Sequence, residues 1–177
     1  MAAGNFFAAL AERVPSEATR LLTTPSGQQY TYGDLERESA RVASALRQMG
    51  LQPGDRVSVQ GEKSVANLWL YLGVLRAGLV YHPLNTAYAY EEMRYFLNNA
   101  EPGLLLCDPS KEASLGDLCA TAGIDHLYTL DAQGLGTFRD YCASCPVTHA
   151  TEPRADDDLA VLLYSSGTTG QPKGIML

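Results

Sequence analysis

The sequence predicts an α/β domain in which a mostly parallel sheet is flanked by helices. Three observations predict it. Short apolar runs, at residues 104–107 and 159–164 for example, read as strands and alternate with longer stretches of helical periodicity, the order that builds βαβ units. Caps, glycines and prolines stand at the joins between them. A chain of 177 residues, 46% hydrophobic and 19% charged, has the size and composition of one globular domain with a real core.

Near the N-terminus, Phe6, Phe7 and Leu10 lie on one side of a first amphipathic helix. This stretch has no basic start and its apolar run stops at Glu12 and Arg13, which is no signal peptide; no run in the chain approaches membrane-spanning length. Residues 21–24 and 28–31 read as two strands about the Pro25-Ser-Gly27 turn. Thr31 followed by Asp34 gives a capping-box pattern. Behind it Leu35, Val42, Ala43, Leu46 and Met49 recur at helical spacing, and Gly50 stops the helix. Past the Gln52-Pro-Gly-Asp55 turn, Arg56-Val-Ser-Val-Gln60 alternates like a strand.

Ser64 caps the next helix, whose face of Val65, Leu68, Leu72 and Leu75 is broadened by Trp69 and Val74, so it should be deeply buried. Arg76 in its last turn and Gly78 beyond it are stop chemistry. Residues 79–81 form a short strand ending at Pro83. A further helix spans about residues 90–99, with Glu91 and Glu92 in its first turn and Met93, Phe96 and Leu97 inward. After the 104–107 strand, Asp108-Pro109 caps a helix that buries Leu115, Leu118 and Cys119 and ends at Gly123. Residues 124–130 are a strand again. Residues 131–158 read as an irregular surface connection with one short helix near Phe138.

The functional signal lies at the end. The 159–164 run reads as a buried strand and feeds into Ser165, Ser166, Gly167, Thr168, Thr169 and Gly170, with Lys173 between Pro172 and Gly174. Glycines let the main chain approach an anion closely, hydroxyls add donors, and the lysine adds a compact positive charge, so phosphate is the fitting guest. A polar surface loop is the plainer reading; the preceding strand, the closing lysine and the stiffening proline speak against it. The GxxxxGK[ST] pattern is excluded, because Pro172 stands where its last glycine belongs and Gly174 where its hydroxyl belongs. Gly174-Ile-Met-Leu177 looks like a second strand, giving a strand–loop–strand grip at the carboxyl end of a sheet, where such domains hold ligands.

Tyr164-Ser-Ser-Gly-Thr-Thr-Gly-Gln-Pro-Lys-Gly174 closely resembles the signature of the adenylate-forming (AMP-dependent synthetase/ligase) superfamily, with Ser165 where the common form has Thr. The resemblance extends through Thr31-Tyr-Gly-Asp-Leu35, Gly54-Asp-Arg-Val57, Arg76-Ala-Gly78 and Pro83-Leu-Asn85, and so covers nearly the whole chain. Glu62-Lys-Ser-Val65, Leu70-Tyr-Leu72 and the stretch from Val80 to Tyr88 look most like malonyl-CoA synthetases and nearby fatty acyl-CoA ligases. The resemblance implies part of the large N-terminal domain of that fold. Residues 1–177 then read as a truncated N-terminal portion of the AMP-binding domain, ending just after the phosphate loop (165–174), with the C-terminal part and lid domain absent.

The implied activity is an acid–thiol ligase of the cytoplasm: carboxylate and ATP give acyl-adenylate and pyrophosphate, and coenzyme A then takes the acyl group. ATP, Mg2+ and coenzyme A are the implied cofactors of the parent enzyme. Lys173 and Thr168 are the catalytic candidates; Ser165, Ser166, Gly167, Thr168, Thr169, Gly170 and Lys173 are the nucleotide-phosphate ligands; no residue is assigned to a metal. A stretch this short should be inactive alone, and its uncovered apolar surface predicts self-association. The alternative is a stand-alone phosphate-, nucleotide- or partner-binding module without catalysis.

Composition narrows the partners. Thirteen Lys and Arg against 20 Asp and Glu give a net charge of −7, a poor match for nucleic acid or an anionic membrane. Cys142-Ala-Ser-Cys145 has no second pair to complete a zinc site and reads as free thiols in a Pro-flanked loop. Asp156-Asp-Asp158 could hold magnesium but reads better as a solvated charge run. His82 reads as a structural or cleft-wall residue, and His126 and His149 have no visible partner. Tyr81, Tyr88, Tyr90 and Tyr95 fit a pocket lining or plain packing alike.

Overall fold

The computed structural model describes residues 4–165 and 172–177. A parallel sheet forms its centre, built from β3 (Arg56–Gln60), β4 (Val80–Pro83), β5 (Leu104–Cys107) and β6 (His126–Thr129) in the order β4-β3-β5-β6. The connections are helices: α3 (Val65–Arg76), α4 (Tyr90–Ala100) and α5 (Glu112–Ala122). Ahead of the sheet come α1 (Phe6–Ala11), the antiparallel pair β1 (Arg20–Thr23) and β2 (Gln29–Thr31), and α2 (Tyr32–Gln48). Behind it come α6 (Thr137–Ala143) and the antiparallel pair β7 (Leu162–Ser165) and β8 (Lys173–Met176).

Local chemistry sets the helix starts and stops. Thr31 and Asp34 form a reciprocal capping box at the start of α2, with Asp34 accepting from Thr31 N–H at 2.8 Å. That bond and the Arg37 guanidinium hold the Asp34 carboxyl below its ordinary range. Ser64 accepts from Asn67 N–H to start α3. Gly123 ends α5 in the left-handed region at φ 69°. The start of α5 differs from expectation: Asp108 caps a 3₁₀ turn at Pro109–Lys111, and the α-helix begins only at Glu112.

The sheet has two dry faces. Val57, Val59, Leu104 and Leu106 pack toward α1, α2, α3 and α6, while Leu105 and Cys107 pack toward α4 and α5. The alternation in β3 suggests one wet face, yet Ser58 is 0% and Gln60 1% exposed. They stand on the α4/α5 face, opposite Leu105 and Cys107 in register, and their polarity serves buried hydrogen bonds instead of solvent. In α1 only Phe7 is buried; Phe6 is 54% exposed, because the cap at Asn5 fixes the helix with Phe7 and Leu10 inward.

Arg76 does not cap its own helix as expected. It is buried, its guanidinium donates to the backbone oxygens of Glu36 and His149 and to the Glu36 carboxylate, and it lies 4.9 Å from the Phe7 ring centroid. It therefore ties α1, α2, α3 and the 144–152 connection together. Helices α2 and α3 meet at Gly73, where a Cβ would stand 2.4 Å from Val42 Cγ1.

Candidate active site: a phosphate-loop hairpin

β7 and β8 pair antiparallel with Ser165 opposite Lys173 and Tyr164 opposite Gly174. The strand–loop–strand reading of this segment is therefore what the backbone shows, and it places the hydroxyl of Ser165 and the amine of Lys173 on neighbouring strands at the mouth of the intervening loop. Ser166, Gly167, Thr168, Thr169 and Gly170 lie outside the described residues. Lys173 is exposed.

The hairpin is docked beside the main sheet. Val161 bridges Tyr81 in parallel sense, and Tyr81 N–H donates to Ala160 O at 2.9 Å, so β7 continues past β4 and points its end the same way as the parallel strands. Burial of the 159–164 run is only half achieved, against the expectation of a buried strand: residues 162–165 are all half-buried. One side of β7 packs on α4 and β4, while β8 is exposed throughout, with Ile175 at 44% and Met176 at 75%.

Helix α4 carries the support. Tyr95 O–H donates to Pro172 O at 3.0 Å, holding the residue before Lys173. Tyr164 bonds through its hydroxyl to the Asn99 side chain, and its ring packs edge-on against Phe96 at 4.8 Å. Burial, with Tyr95 nearby, raises the Tyr164 hydroxyl above its ordinary pKa, keeping it a neutral donor. The other tyrosines divide: Tyr88 stacks on Phe96 at 4.7 Å, Tyr81 O–H donates to Asn67 at 2.9 Å, and Tyr90 is exposed.

Beneath Tyr164 lies a polar floor in which His82, expected as a structural or cleft-wall residue, meets Ser58 and Gln60, which the sequence did not single out. His82 is 0% exposed, its Nδ1 shares a 2.7 Å hydrogen bond with Ser58 Oγ, and its ring tilts against Tyr164 at 5.4 Å. Burial pushes its pKa down to about 4, so it is neutral near pH 7. Its Nε2 and Gln60 Oε1 are buried without a hydrogen-bond partner among the described residues. Gln60 Nε2 meanwhile donates to the backbone oxygens of Asn85 and Tyr88, fixing the loop before α4. The available signal was the pair of polar residues in an otherwise apolar parallel strand.

The remaining candidates resolve as structure. His126 Nε2 does have a partner, Met49 O at 3.0 Å, and the His149 backbone holds Arg76. Asp156 and Asp157 are exposed, whereas Asp158 caps Ala155 N–H and pairs with Arg154 at 3.1 Å. Cys142 lies in the last turn of α6 rather than in a loop, with Cys145 just beyond; both are buried free thiols, and burial pushes Cys142 up to about 12. No group of three or more His, Cys, Asp or Glu among the described residues is placed to hold a metal ion. No helix there is long and apolar enough to cross a membrane.

The parallel sheet and the β7–β8 hairpin agree with the fold expected from the resemblance to adenylate-forming enzymes. The chain belongs to the AMP-binding enzyme family, whose model matches residues 7–177. MatB from Rhodopseudomonas palustris superposes with a TM-score of 0.94 at 43% identity for the apo form and 44% for the ATP-bound form, covering 98% of this chain and 34% of MatB. AMB antimetabolite synthetase AmbB of Pseudomonas aeruginosa is 36% identical over 176 residues, 98% of this chain and 13% of the relative. Sulfoacetate–CoA ligase of Cupriavidus necator is 30% identical over 157 residues, 89% of this chain and 31% of the relative. The chain thus spans about a third of the single-ligase relatives it matches.

Proposed function

We propose that residues 1–177 are the phosphate-gripping part of an ATP-dependent acid–CoA ligase of the malonyl-CoA synthetase or fatty acyl-CoA ligase type. The observation that carries the reading is the hairpin that sets Ser165 opposite Lys173, docked beside β4 and running on past that strand's carboxyl end. In the reaction a substrate carboxylate oxygen attacks the α-phosphorus of ATP; the bond to the bridging oxygen breaks and pyrophosphate leaves with its electron pair. The thiol of coenzyme A then attacks the acyl carbon and AMP departs.

Ser165, Ser166, Thr168 and Thr169 would donate to the β- and γ-phosphates, Gly167 and Gly170 would allow close main-chain approach, and Lys173 would offset charge on the departing pyrophosphate. This is positioning plus electrostatics, with no covalent role for the protein. Magnesium would arrive on the nucleotide phosphates and neutralise part of their charge.

Taken by themselves, these residues match a third of MatB, and we expect no turnover from them. The exposed apolar side chains of Ile175, Met176 and Leu177 should promote self-association. The test is to graft residues 1–177 in place of the matching third of MatB and measure carboxylate-dependent ATP–pyrophosphate exchange. The reading predicts exchange that Lys173→Ala lowers by about a hundredfold, the scale of one lost charge-stabilising donor. Full exchange by the Lys173→Ala graft would refute the assignment.

A further inference from the structure

A cavity lies on the opposite face of the sheet from the hairpin. β3 is followed by α3 on one side of the sheet and β5 by α5 on the other, so the connections diverge at the carboxyl ends of these strands. Open α/β sheets hold ligands in the crevice at such a divergence. Apart from that crevice, a cavity of about 850 Å³ is walled by the β1–β2 turn, α2, the start of α3, the loop after β6, and α6. That volume suits a small organic ligand.

The lining has two characters. Half-buried Tyr30 forms an aromatic part with Trp69 and Phe138, which are only 8% and 3% exposed, and Tyr30 stands edge-on to Trp69 at 5.8 Å. Around it stand Arg37, Arg41, Lys63 and Arg139 against only Asp34 and Glu38, an excess of positive charge on a chain of net charge −7. Arg37 is held by Asp34 at 2.6 Å and Glu38 at 3.2 Å, so it is already neutralised. Arg41 shares Glu38 at 3.3 Å and keeps its Nε buried without a hydrogen-bond partner. Lys63 and Arg139 are exposed and have no acidic partner among the described residues.

We propose that this cavity binds an amphipathic anion, its flat or chain-like apolar body over Trp69 and Phe138 and its acidic head toward Lys63, Arg139 and Arg41. Two physical terms favour it: apolar area leaves water against the aromatic wall, and cations meet a head group that water alone now solvates. The site takes no part in the phosphate hairpin, which packs on the α4/α5 face.

Trp69 is the one tryptophan in the chain, so its emission reports the cavity directly. The probe is 1-anilinonaphthalene-8-sulfonate, titrated into the 177-residue protein while Trp69 emission is followed. We expect saturable quenching that dodecanoate reverses and inorganic phosphate at equal ionic strength does not. The double variant Lys63→Ala/Arg139→Ala should bind the probe about tenfold more weakly, with an unchanged circular dichroism spectrum because both side chains are exposed. Wild-type affinity in that variant, equal affinity for the uncharged N-phenyl-1-naphthylamine, or an unquenched Trp69 would each overturn the proposal.

Discussion

Replacing Arg76 with alanine removes a side chain that joins α2, α3 and the 144–152 connection through its guanidinium. Its Nε and Nη2 donate to His149 O at 2.9 and 2.6 Å, Nη1 to Glu36 O and Ser39 Oγ at 3.0 and 3.1 Å, and Nη2 to Glu36 Oε1 at 2.6 Å. The Glu36 side chain is 50% exposed and rehydrates when released, so the ion pair itself contributes little. The carbonyls of Glu36 and His149 lose charged donors worth about 1.5–3 kcal/mol each, partly restored by water entering the space left behind. Contact with the Phe7 ring is lost as well. Together these give a loss of about 3 kcal/mol, or roughly 10 °C in Tm for a domain of this size. Thermal and urea unfolding followed by circular dichroism measure it, and Arg76→Lys, which keeps one donor group in place of the fork, should lose about half as much. A loss below about 1 kcal/mol for Arg76→Ala would mean that these hydrogen bonds do not hold the helices together.

Acid should weaken the fold through buried His82 and half-buried His149. The His82 pKa falls from 6.5 unfolded to about 4 folded, so the unfolded chain binds the extra proton; stability is complete above about pH 6.5 and falls toward pH 4 by roughly 3 kcal/mol. The depressed His149, shifted chiefly by burial and then by Arg76, acts in the same sense, and His82→Leu should flatten the slope in urea titrations across that window. Gly73→Ala should cost about 2 kcal/mol by forcing α2 and α3 apart, read as a lower urea midpoint at unchanged m. Cys107, Cys119 and Cys142 are buried and pushed up to about 12, 11 and 12, so a thiol reagent at pH 8 should label them only at the rate of global unfolding; rapid labelling of the native protein would contradict their placement.

Local chemistry made most of the fold legible. The Thr31–Asp34 box, the Ser64 cap and the Gly50 and Gly123 stops are short-range interactions, and each lies where the residue pattern puts it. What the pattern hid is long-range. Arg76 looks like a helix-end cation, and only the packing of α2 against α3 turns it inward. Ser58 and Gln60 look like a wet face, because alternation cannot reveal that α4 and α5 cover the other side of a parallel sheet. The hairpin was legible from Ser165 and Lys173, but the support of Tyr95, Asn99 and His82 beneath it depends on contacts between elements far apart in sequence.

Whether the β7–β8 hairpin grips phosphate is read by calorimetric titration of the 177-residue protein with pyrophosphate, beside Lys173→Ala. A phosphate grip binds pyrophosphate in the millimolar range, about −4 kcal/mol, and loses that binding in the variant. Equal heats from the two proteins, or none from either, would contradict it.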